Sequence, residues 1–241
     1  MKNYLISISY DGSAYKGWQR LADNDNTIQN IIEQAILTLA KEKVHLIASG
    51  RTDAGVHAIC QLANFKCKYL DEDTFIQNIN EILPKDIRIN SIEQVNKDFH
   101  CRYDIKLKRY IYRMHYGEVR DVFLRKYVYE IEKPDIELMR NVAKKLIGEH
   151  DFRGFSSEKN MDKSTIRTLY SIDITDNDGY VDICFEGNGF LYNMVRIIAG
   201  TILMIGQSKL NIDIIDEIFA TKRRELAGET LPGYALFVDL K

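Results

Sequence analysis

The sequence predicts an α+β fold in which an antiparallel-rich sheet carries helices on one face. Residues 4–10 alternate between apolar and polar side chains, which is typical of a half-buried strand. Residues 27–43 place apolar side chains at helical spacing behind Thr27, a residue type suited to capping a helix. Two strand-like stretches at 168–175 and 180–185 flank Asn177-Asp-Gly and predict a β-hairpin. These three observations define the fold class.

The other elements follow the same two periodicities along the chain. Short apolar or alternating stretches predict strands at 44–48, 59–65, 87–95, 108–113 and 126–131. Stretches with apolar residues at helical spacing predict helices at 73–83, 135–147, 190–205 and 212–220. Pro84 explains the end of the first of these helices, because the residue before a proline disfavours helical backbone.

Composition places the chain among globular proteins without structural metals. Its 241 residues are 45% hydrophobic, which is enough for one large or two modest cores. No apolar run approaches the roughly 20 residues of a membrane span, and no signal peptide precedes the first strand, so we expect a cytoplasmic protein. The four cysteines form no Cys-x-x-Cys pair, so neither a zinc site nor a disulfide framework is expected.

Charge is balanced overall but concentrated locally. The chain has 33 basic and 35 acidic residues, a net charge of −2, which argues against a general polyanion binder. Residues 102–126, however, hold eight basic residues against three acidic ones, a net charge of +5. A specific RNA binder requires such a localised charge, but composition alone favours a solvated strand face bearing lysine and arginine.

The most informative stretch is the loop that follows the predicted strand 44–48. Gly50 and Gly55 frame a segment that contains Arg51 and Asp53. A neighbouring guanidinium favours the ionised carboxylate, and an ionised aspartate can act as a nucleophile or a base. An Asx-turn or a helix cap is the structural alternative for an aspartate in a glycine-rich turn.

Three polar residues near this loop have weaker signals. Ser49 and His57 lie four residues before and after Asp53, but no nucleophile elbow accompanies them, so a Ser-Asp-His hydrolase is disfavoured. His57 is interpreted instead as a residue that caps or braces the loop. Gln61 is expected to be an exposed strand residue, with an RNA contact as the alternative.

Two further patterns leave alternatives open. Tyr110, Tyr112, Met114 and Tyr116 share one face of a predicted strand, which suits sheet packing and also suits stacking of an unpaired base. Arg196 interrupts a broad apolar helix surface, where a charge is costly unless it is paired. Any carboxylate at the helix edge would satisfy it.

Several motifs are similar to those of the TruA-type tRNA pseudouridine synthases. The two specific ones are Gly50-Arg-Thr-Asp-Ala-Gly-Val-His57 and Phe190-Leu-Tyr-Asn-Met-Val-Arg196. Phe99-His-Cys-Arg102 and the segment 224–232 resemble other family motifs. The resemblance covers nearly the whole chain, from Tyr10 to Val238.

The resemblance implies an architecture and partners. It implies two similar α/β subdomains, residues 1–104 and 105–241, whose sheets join into one central mixed sheet. Helices would lie on the outer face, with an RNA-binding cleft between the halves. It also implies a homodimer that binds the anticodon arm of tRNA, with no cofactor, no metal and no membrane association.

The resemblance also implies an activity and its residues. The reaction is isomerisation of uridine to pseudouridine at positions 38, 39 and 40 of tRNA. In the family the residue matching Asp53 is the essential carboxylate, that matching Tyr110 sits over the target uracil, and that matching Arg196 pairs with the aspartate. Leu236 matches the apolar residue beside the target base, and the family usually has glycine where Ala235 stands.

Basic residues complete the predicted site. Arg51 would either orient Asp53 or contact the phosphate of the flipped nucleotide. Phosphate contacts are expected from residues of the basic stretch: Arg102, Lys108, Arg109 and Arg113. Two other functions stay open, namely a tRNA-binding protein without activity and an aspartate-based hydrolase.

Overall fold

The computed structural model describes residues 1–68, 70–158 and 164–240, and it confirms the predicted α+β fold with mixed sheets and surrounding helices. Contacts divide the chain into two compact units, Met1–Ile105 with Phe237–Lys241, and Lys106–Leu236. The last residues of the chain therefore belong to the first unit. The subdomain boundary at residue 104 stays a prediction.

The regular elements occupy the following residues. The strands are β1 (Lys2–Tyr10), β2 (Ile47–Ala48), β3 (His57–Cys67), β4 (Ile87–Val95), β5 (Lys108–His115), β6 (Tyr129–Glu130), β7 (Gly148–Asp151), β8 (Ile166–Asn177), β9 (Tyr180–Gly187) and β10 (Leu236–Asp239). The helices are α1 (Ile28–Ala40), α2 (Glu72–Ile82), α3 (Cys101–Asp104), α4 (Ile136–Leu146), α5 (Met194–Gly206) and α6 (Ile214–Thr221). Strand β4 and the cap of α1 agree with the predictions, since the Thr27 side chain accepts from the Asn30 N–H.

The first unit is built on a sheet with the order β4-β1-β3-β10. Strand β1 pairs antiparallel with β3 and β4, β2 pairs antiparallel with β3, and β10 runs parallel to β3. The predicted alternation of β1 is confirmed, because Tyr4, Ile6 and Ile8 are fully buried. Helix α1 contributes Ile32 and Ile36 to the core, also without exposed surface.

The second unit is built on a sheet with the order β5-β9-β8-β7. These neighbours are antiparallel, while β6 pairs parallel with β5. Helix α4 contacts α5 and β8, and α5 contacts β5. The core contains Tyr112, Phe185 and Ile198, each with no exposed surface.

The strand predicted at 44–48 is limited to Ile47–Ala48. Two other predicted boundaries are wrong for local reasons. The strand predicted at 126–131 is limited to Tyr129–Glu130. The Leu124 carbonyl accepts from the N–H groups of both Tyr127 and Val128, so the preceding residues form a turn.

The helix predicted from residue 190 begins at Met194 instead. Asn193 precedes it with φ of 61°, a left-handed conformation that asparagine tolerates better than most residues. Residues 190–193 therefore precede the helix and do not belong to its first turn. Strands β7 and β10 were not predicted.

The described residues carry neither a membrane-spanning helix nor a metal cluster. None of the helices in this part of the chain combines the length and apolar character needed to cross a bilayer. Within the same described ranges, no three or more His, Cys, Asp or Glu side chains are grouped to hold a metal ion.

Candidate active site

Asp53 lies in the loop that connects β2 to β3. Its carbonyl accepts from the Val56 N–H at 3.2 Å, which closes a tight turn over Ala54 and Gly55. Gly55 has φ of 78°, a conformation that glycine adopts without steric cost. Asp53 is a partly exposed residue and Arg51 is an exposed one.

A buried glutamine holds the start of this loop. Gln61 was expected to be exposed, but it has no exposed surface. Its Nε2 donates to the Gly50 carbonyl at 2.8 Å, and its Oε1 accepts from the Ser49 hydroxyl at 2.7 Å. The prediction was wrong because a strand residue beside a loop can satisfy its amide with loop backbone instead of water.

Aromatic residues support the loop from the side of Thr52. The Thr52 hydroxyl is 2.8 Å from the Tyr10 hydroxyl, and its carbonyl accepts from the Trp18 N–H at 3.0 Å. The Tyr10 and Trp18 rings contact each other with centroids 6.2 Å apart. Trp18 is 2% exposed, so it acts both as a core anchor and as a support for the loop.

Gly17 brings the backbone of its own loop against that of the Asp53 loop. It has φ of 92°, and a Cβ built on it would lie 2.7 Å from the Thr52 carbonyl oxygen and 3.0 Å from the Asp53 carbonyl carbon. No side chain fits there without moving the loop. Sequence reasoning missed this role, although a glycine directly before a buried tryptophan was the available signal.

In the second unit, the tyrosines of β5 divide into two roles. Tyr112 is fully buried, and its hydroxyl donates to the Pro232 carbonyl at 2.9 Å. Burial raises the pKa of this hydroxyl, so it remains a neutral donor. Tyr110 is partly exposed and meets Phe190 edge to face at 5.1 Å. Packing thus accounts for Tyr112, whereas Tyr110 keeps accessible surface.

Arg196 is half-buried near the start of α5 and donates hydrogen bonds to oxygen atoms of its own unit. Its Nε donates to the Leu231 carbonyl at 2.6 Å, and its Nη1 donates to the Asn193 side chain at 2.8 Å. A backbone carbonyl and a side-chain amide thus accept hydrogen bonds from Arg196, for which the sequence analysis expected a carboxylate partner. Asp53 belongs to the first unit and Arg196 to the second, so their pairing stays a prediction.

The segment that supplies the Leu231 carbonyl is itself held by an arginine. Arg224 donates to the carbonyls of Ala227 and Gly228 at 3.3 and 3.0 Å, and to the Thr230 hydroxyl at 3.0 Å. The resemblance covered this stretch but did not indicate the role of Arg224. Its partners lie within six residues of it, so the available signal was an arginine three residues before Ala227-Gly228.

Leu236, which was predicted to lie beside the target base, is largely buried. It is 6% exposed, and Ala235 before it has no exposed surface. Ala235 ends a short 3-10 turn that begins at Gly233. Its methyl group is therefore accommodated within the packed interior.

Two arginines of the predicted RNA surface have acidic neighbours on the adjacent strand. Arg109 lies 3.6 Å from Glu186, and Arg113 lies 3.5 Å from Asp182. Burial raises the pKa of the Asp182 carboxyl, and Arg113 offsets part of this effect. A phosphate at Arg109 or Arg113 would therefore compete with a carboxylate.

The other predicted RNA contacts differ in accessibility. Arg102 is exposed on α3. Lys108 has only 7% of its surface exposed, although it opens the basic strand β5. Accessibility therefore favours Arg102 as a phosphate contact.

Comparison with known proteins gives consistent matches along most of the chain. A family model described as tRNA pseudouridine synthase matches residues 6–104 and 142–240. The tRNA pseudouridine synthase A 2 of Bacillus cereus is 42% identical over 226 residues, covering 93% of this chain and 92% of the relative. The tRNA pseudouridine synthase A of Geobacillus sp. is 40% identical over 240 residues, covering 98% and 96%. The tRNA pseudouridine synthase A 1 of Protochlamydia amoebophila is 41% identical over 244 residues, covering 99% and 95%.

Proposed function

Because the chain belongs to the tRNA pseudouridine synthase family, we propose that it modifies uridines 38, 39 and 40 in the anticodon stem-loop of tRNA, with Asp53 as the essential carboxylate. The chain is an isomerase that converts uridine in tRNA to pseudouridine. The proposal concerns which uridines react and which residues carry the reaction.

The reaction is an isomerisation that needs no change in oxidation state. The bond from uracil N1 to the sugar C1′ breaks, the base rotates, and a bond from C5 to the same C1′ forms. The hydrogen on C5 leaves as a proton, and N1 gains one. Asp53 would attack the sugar, attack the base or remove a sugar proton, and each of these routes requires an ionised, accessible carboxylate.

The observation that carries the assignment is the way the Asp53 loop is held. Gln61 fixes the start of the loop, Thr52 is bonded to Tyr10 and Trp18, and Gly17 packs against its backbone. The side chain of Asp53 nevertheless stays partly exposed. A rigid support beneath an accessible carboxylate is what positioning of a reacting group requires.

The base must leave its stack before it can react, which costs a few kcal/mol. Tyr110 is proposed to stack on the extruded uracil, and a base-aromatic contact is worth about 1–3 kcal/mol. Its partial exposure and its edge contact with Phe190 support this role. Leu236 is proposed as the apolar contact of the same base, and Arg196 as the cation that orients Asp53.

Phosphate contacts are proposed for Arg51, Arg102, Lys108, Arg109 and Arg113. The exposure of Arg51 and Arg102 supports the first two. The neighbouring carboxylates of Arg109 and Arg113 and the burial of Lys108 predict weaker contributions from the other three. We also propose that the protein acts in the cytoplasm as a homodimer, as the family resemblance implies.

The test is tritium release from an unmodified tRNA transcript labelled at uridine C5. We expect release from the anticodon arm by the purified protein and none by Asp53→Ala, with tRNA binding preserved. Asp98→Ala removes an exposed carboxylate from the same unit and serves as the matched control. Turnover by Asp53→Ala would exclude Asp53 as the essential group.

Two other results would point to other functions. Normal tRNA affinity without tritium release from the intact protein would indicate an RNA-binding protein without activity. Release of free uracil would indicate a hydrolase.

A further inference from the structure

We propose that His57 is a positioning residue for the Asp53 loop, and that it acts by accepting a hydrogen bond from the Gly12 N–H at Nδ1. This inference deepens the proposed function and rests on it, because the loop matters for catalysis only if Asp53 reacts. His57 does not touch the reacting atoms in this assignment. It holds a neighbouring loop against the one that carries Asp53.

The His57 ring is fixed on several sides. It is 1% exposed, and its Nδ1 accepts from the Gly12 N–H at 3.0 Å. The ring stacks on Phe237 with centroids 4.8 Å apart and planes tilted by 25°. A buried histidine fixed in this way has one available orientation, so its Nδ1 is a defined anchor for backbone.

The anchored backbone lies directly against the turn that contains Asp53. A Cβ built on Gly12 would lie 1.9 Å from the Val56 carbonyl oxygen, so the two backbones are in close contact. Further along the same segment, Trp18 donates to the Thr52 carbonyl. Segment 12–18 therefore contacts the Asp53 loop at both of its ends, and His57 fixes the first of these contacts.

The donor and acceptor roles follow from the groups around Nδ1. The Gly12 N–H can only donate, so Nδ1 is the acceptor in this hydrogen bond. Asp11 Oδ1 is 3.1 Å from the same nitrogen and accepts from the Ser13 N–H at 2.9 Å. The Gly12 N–H therefore needs an acceptor at the position of Nδ1.

This requirement defines a matched pair of variants. Asparagine places an amide oxygen near the position of Nδ1, whereas glutamine extends its amide toward the position of Nε2. His57→Asn should therefore keep the Gly12 hydrogen bond, while His57→Gln and His57→Ala should lose it. His45→Ala is the control, because His45 is an exposed histidine of the same unit.

Steady-state tritium release and amide hydrogen exchange test the proposal together. We expect His57→Ala and His57→Gln to lower kcat by about 10- to 100-fold, the scale of a misplaced reacting group, with KM for tRNA within about twofold. His57→Asn should recover most of kcat. The Gly12 amide should exchange slowly in the wild type and in His57→Asn, and faster in His57→Gln.

The same measurements can overturn the assignment. A wild-type kcat in His57→Gln, or fast Gly12 exchange in the wild type, would remove the positioning role. Low kcat in a thermally stable His57→Asn would assign the effect to the ring and not to Nδ1. If His57→Ala does not fold, the Asn and Gln pair still decides. Failure of the proposed function would look different, since Asp53→Ala would then retain activity or the wild type would have none.

Discussion

The Asp53 loop of the first unit and the Arg196 site of the second unit are held in different ways. Around Asp53, side-chain hydrogen bonds are joined by direct packing between backbones, because Gly17 lies against the carbonyl of Thr52. Arg196 is held by hydrogen bonds from its own side chain, including the one to the Leu231 carbonyl. The Asp53 loop requires that Gly17 has no side chain, whereas the second region requires the guanidinium of Arg196.

This difference predicts how each region responds to substitution. Closely packed backbones cannot rearrange around an added methyl group, so the loop itself must move. A guanidinium that loses a hydrogen bond loses the free energy of that bond, while the surrounding backbone can remain in place. Substitutions around Asp53 should therefore lower kcat strongly, and substitutions around Arg196 should lower it less.

The largest effect is expected from Gly17→Ala. The new Cβ would lie 2.7 Å from the Thr52 carbonyl oxygen, and the φ of 92° disfavours alanine. Displacement of Asp53 by about 1 Å would lower kcat by about 100-fold. Tritium release under saturating tRNA measures this, and Ser13→Ala, an exposed change in the same segment, should leave kcat unchanged. An active Gly17→Ala would show that the loop tolerates movement.

A smaller effect is expected from Arg196→Lys. Lysine keeps the charge but cannot donate to Leu231 and Asn193 in the geometry of the guanidinium. Loss of one hydrogen bond from a charged group, about 1.5–3 kcal/mol, corresponds to about tenfold or more in kcat. Arg140→Lys is the control, since Arg140 also donates to a backbone carbonyl, that of Ile174. Equal activity losses in both variants would indicate a general effect on folding.

Arg224→Met should affect stability more than chemistry. It removes three hydrogen bonds that hold segment 227–230, which should lower the free energy of unfolding by about 1–3 kcal/mol. Activity should fall only severalfold, because Arg196 keeps its own contact with Leu231. Denaturant unfolding measures the first effect. Arg223→Met, which removes an exposed ion pair with Glu225, should leave the free energy of unfolding nearly unchanged.

The regular elements could be predicted from sequence because their signals are local. Strand β4 and the capped start of α1 follow from alternation and from Thr27. Strand β10 was not predicted, because four consecutive buried residues give no alternation, and its parallel pairing with β3 joins residues far apart in sequence. Residues 126–128 were predicted as part of a strand but lie in a turn, and the hydrogen bonds of this turn are not signalled by glycine or proline.

The candidate site residues stand in motifs and could be proposed from sequence, whereas of the contacts that support the Asp53 loop only a bracing role for His57 was predicted. Asp53, Tyr110 and Arg196 stand in motifs, and motifs name the residues that react or bind. The supports are contacts such as Gly17 with Thr52, whose partners lie 35 positions apart. A contact between two loops so far apart in sequence can be identified only from the three-dimensional structure.

The smallest expected effect is a change in the salt dependence of tRNA binding, which should differ between Arg102 in the first unit and Arg113 in the second. Arg102 in the first unit is exposed, whereas Arg113 in the second lies 3.5 Å from Asp182. A phosphate contact contributes about 0.7–0.9 to the slope of log affinity against log salt. Arg102→Gln should therefore reduce the magnitude of this slope by about the contribution of one phosphate contact.

Arg113→Gln should flatten this dependence less, because a phosphate that binds Arg113 must first displace a carboxylate. The double variant Arg113→Gln with Asp182→Asn removes both charges and isolates the competition. Filter binding or fluorescence titration of the anticodon stem-loop across a salt series measures all three slopes. Equal flattening by Arg102→Gln and Arg113→Gln would mean that tRNA breaks the pair with Asp182 on binding. In that case the strand β5 would be an RNA surface whose charge is neutralised only while no RNA is bound.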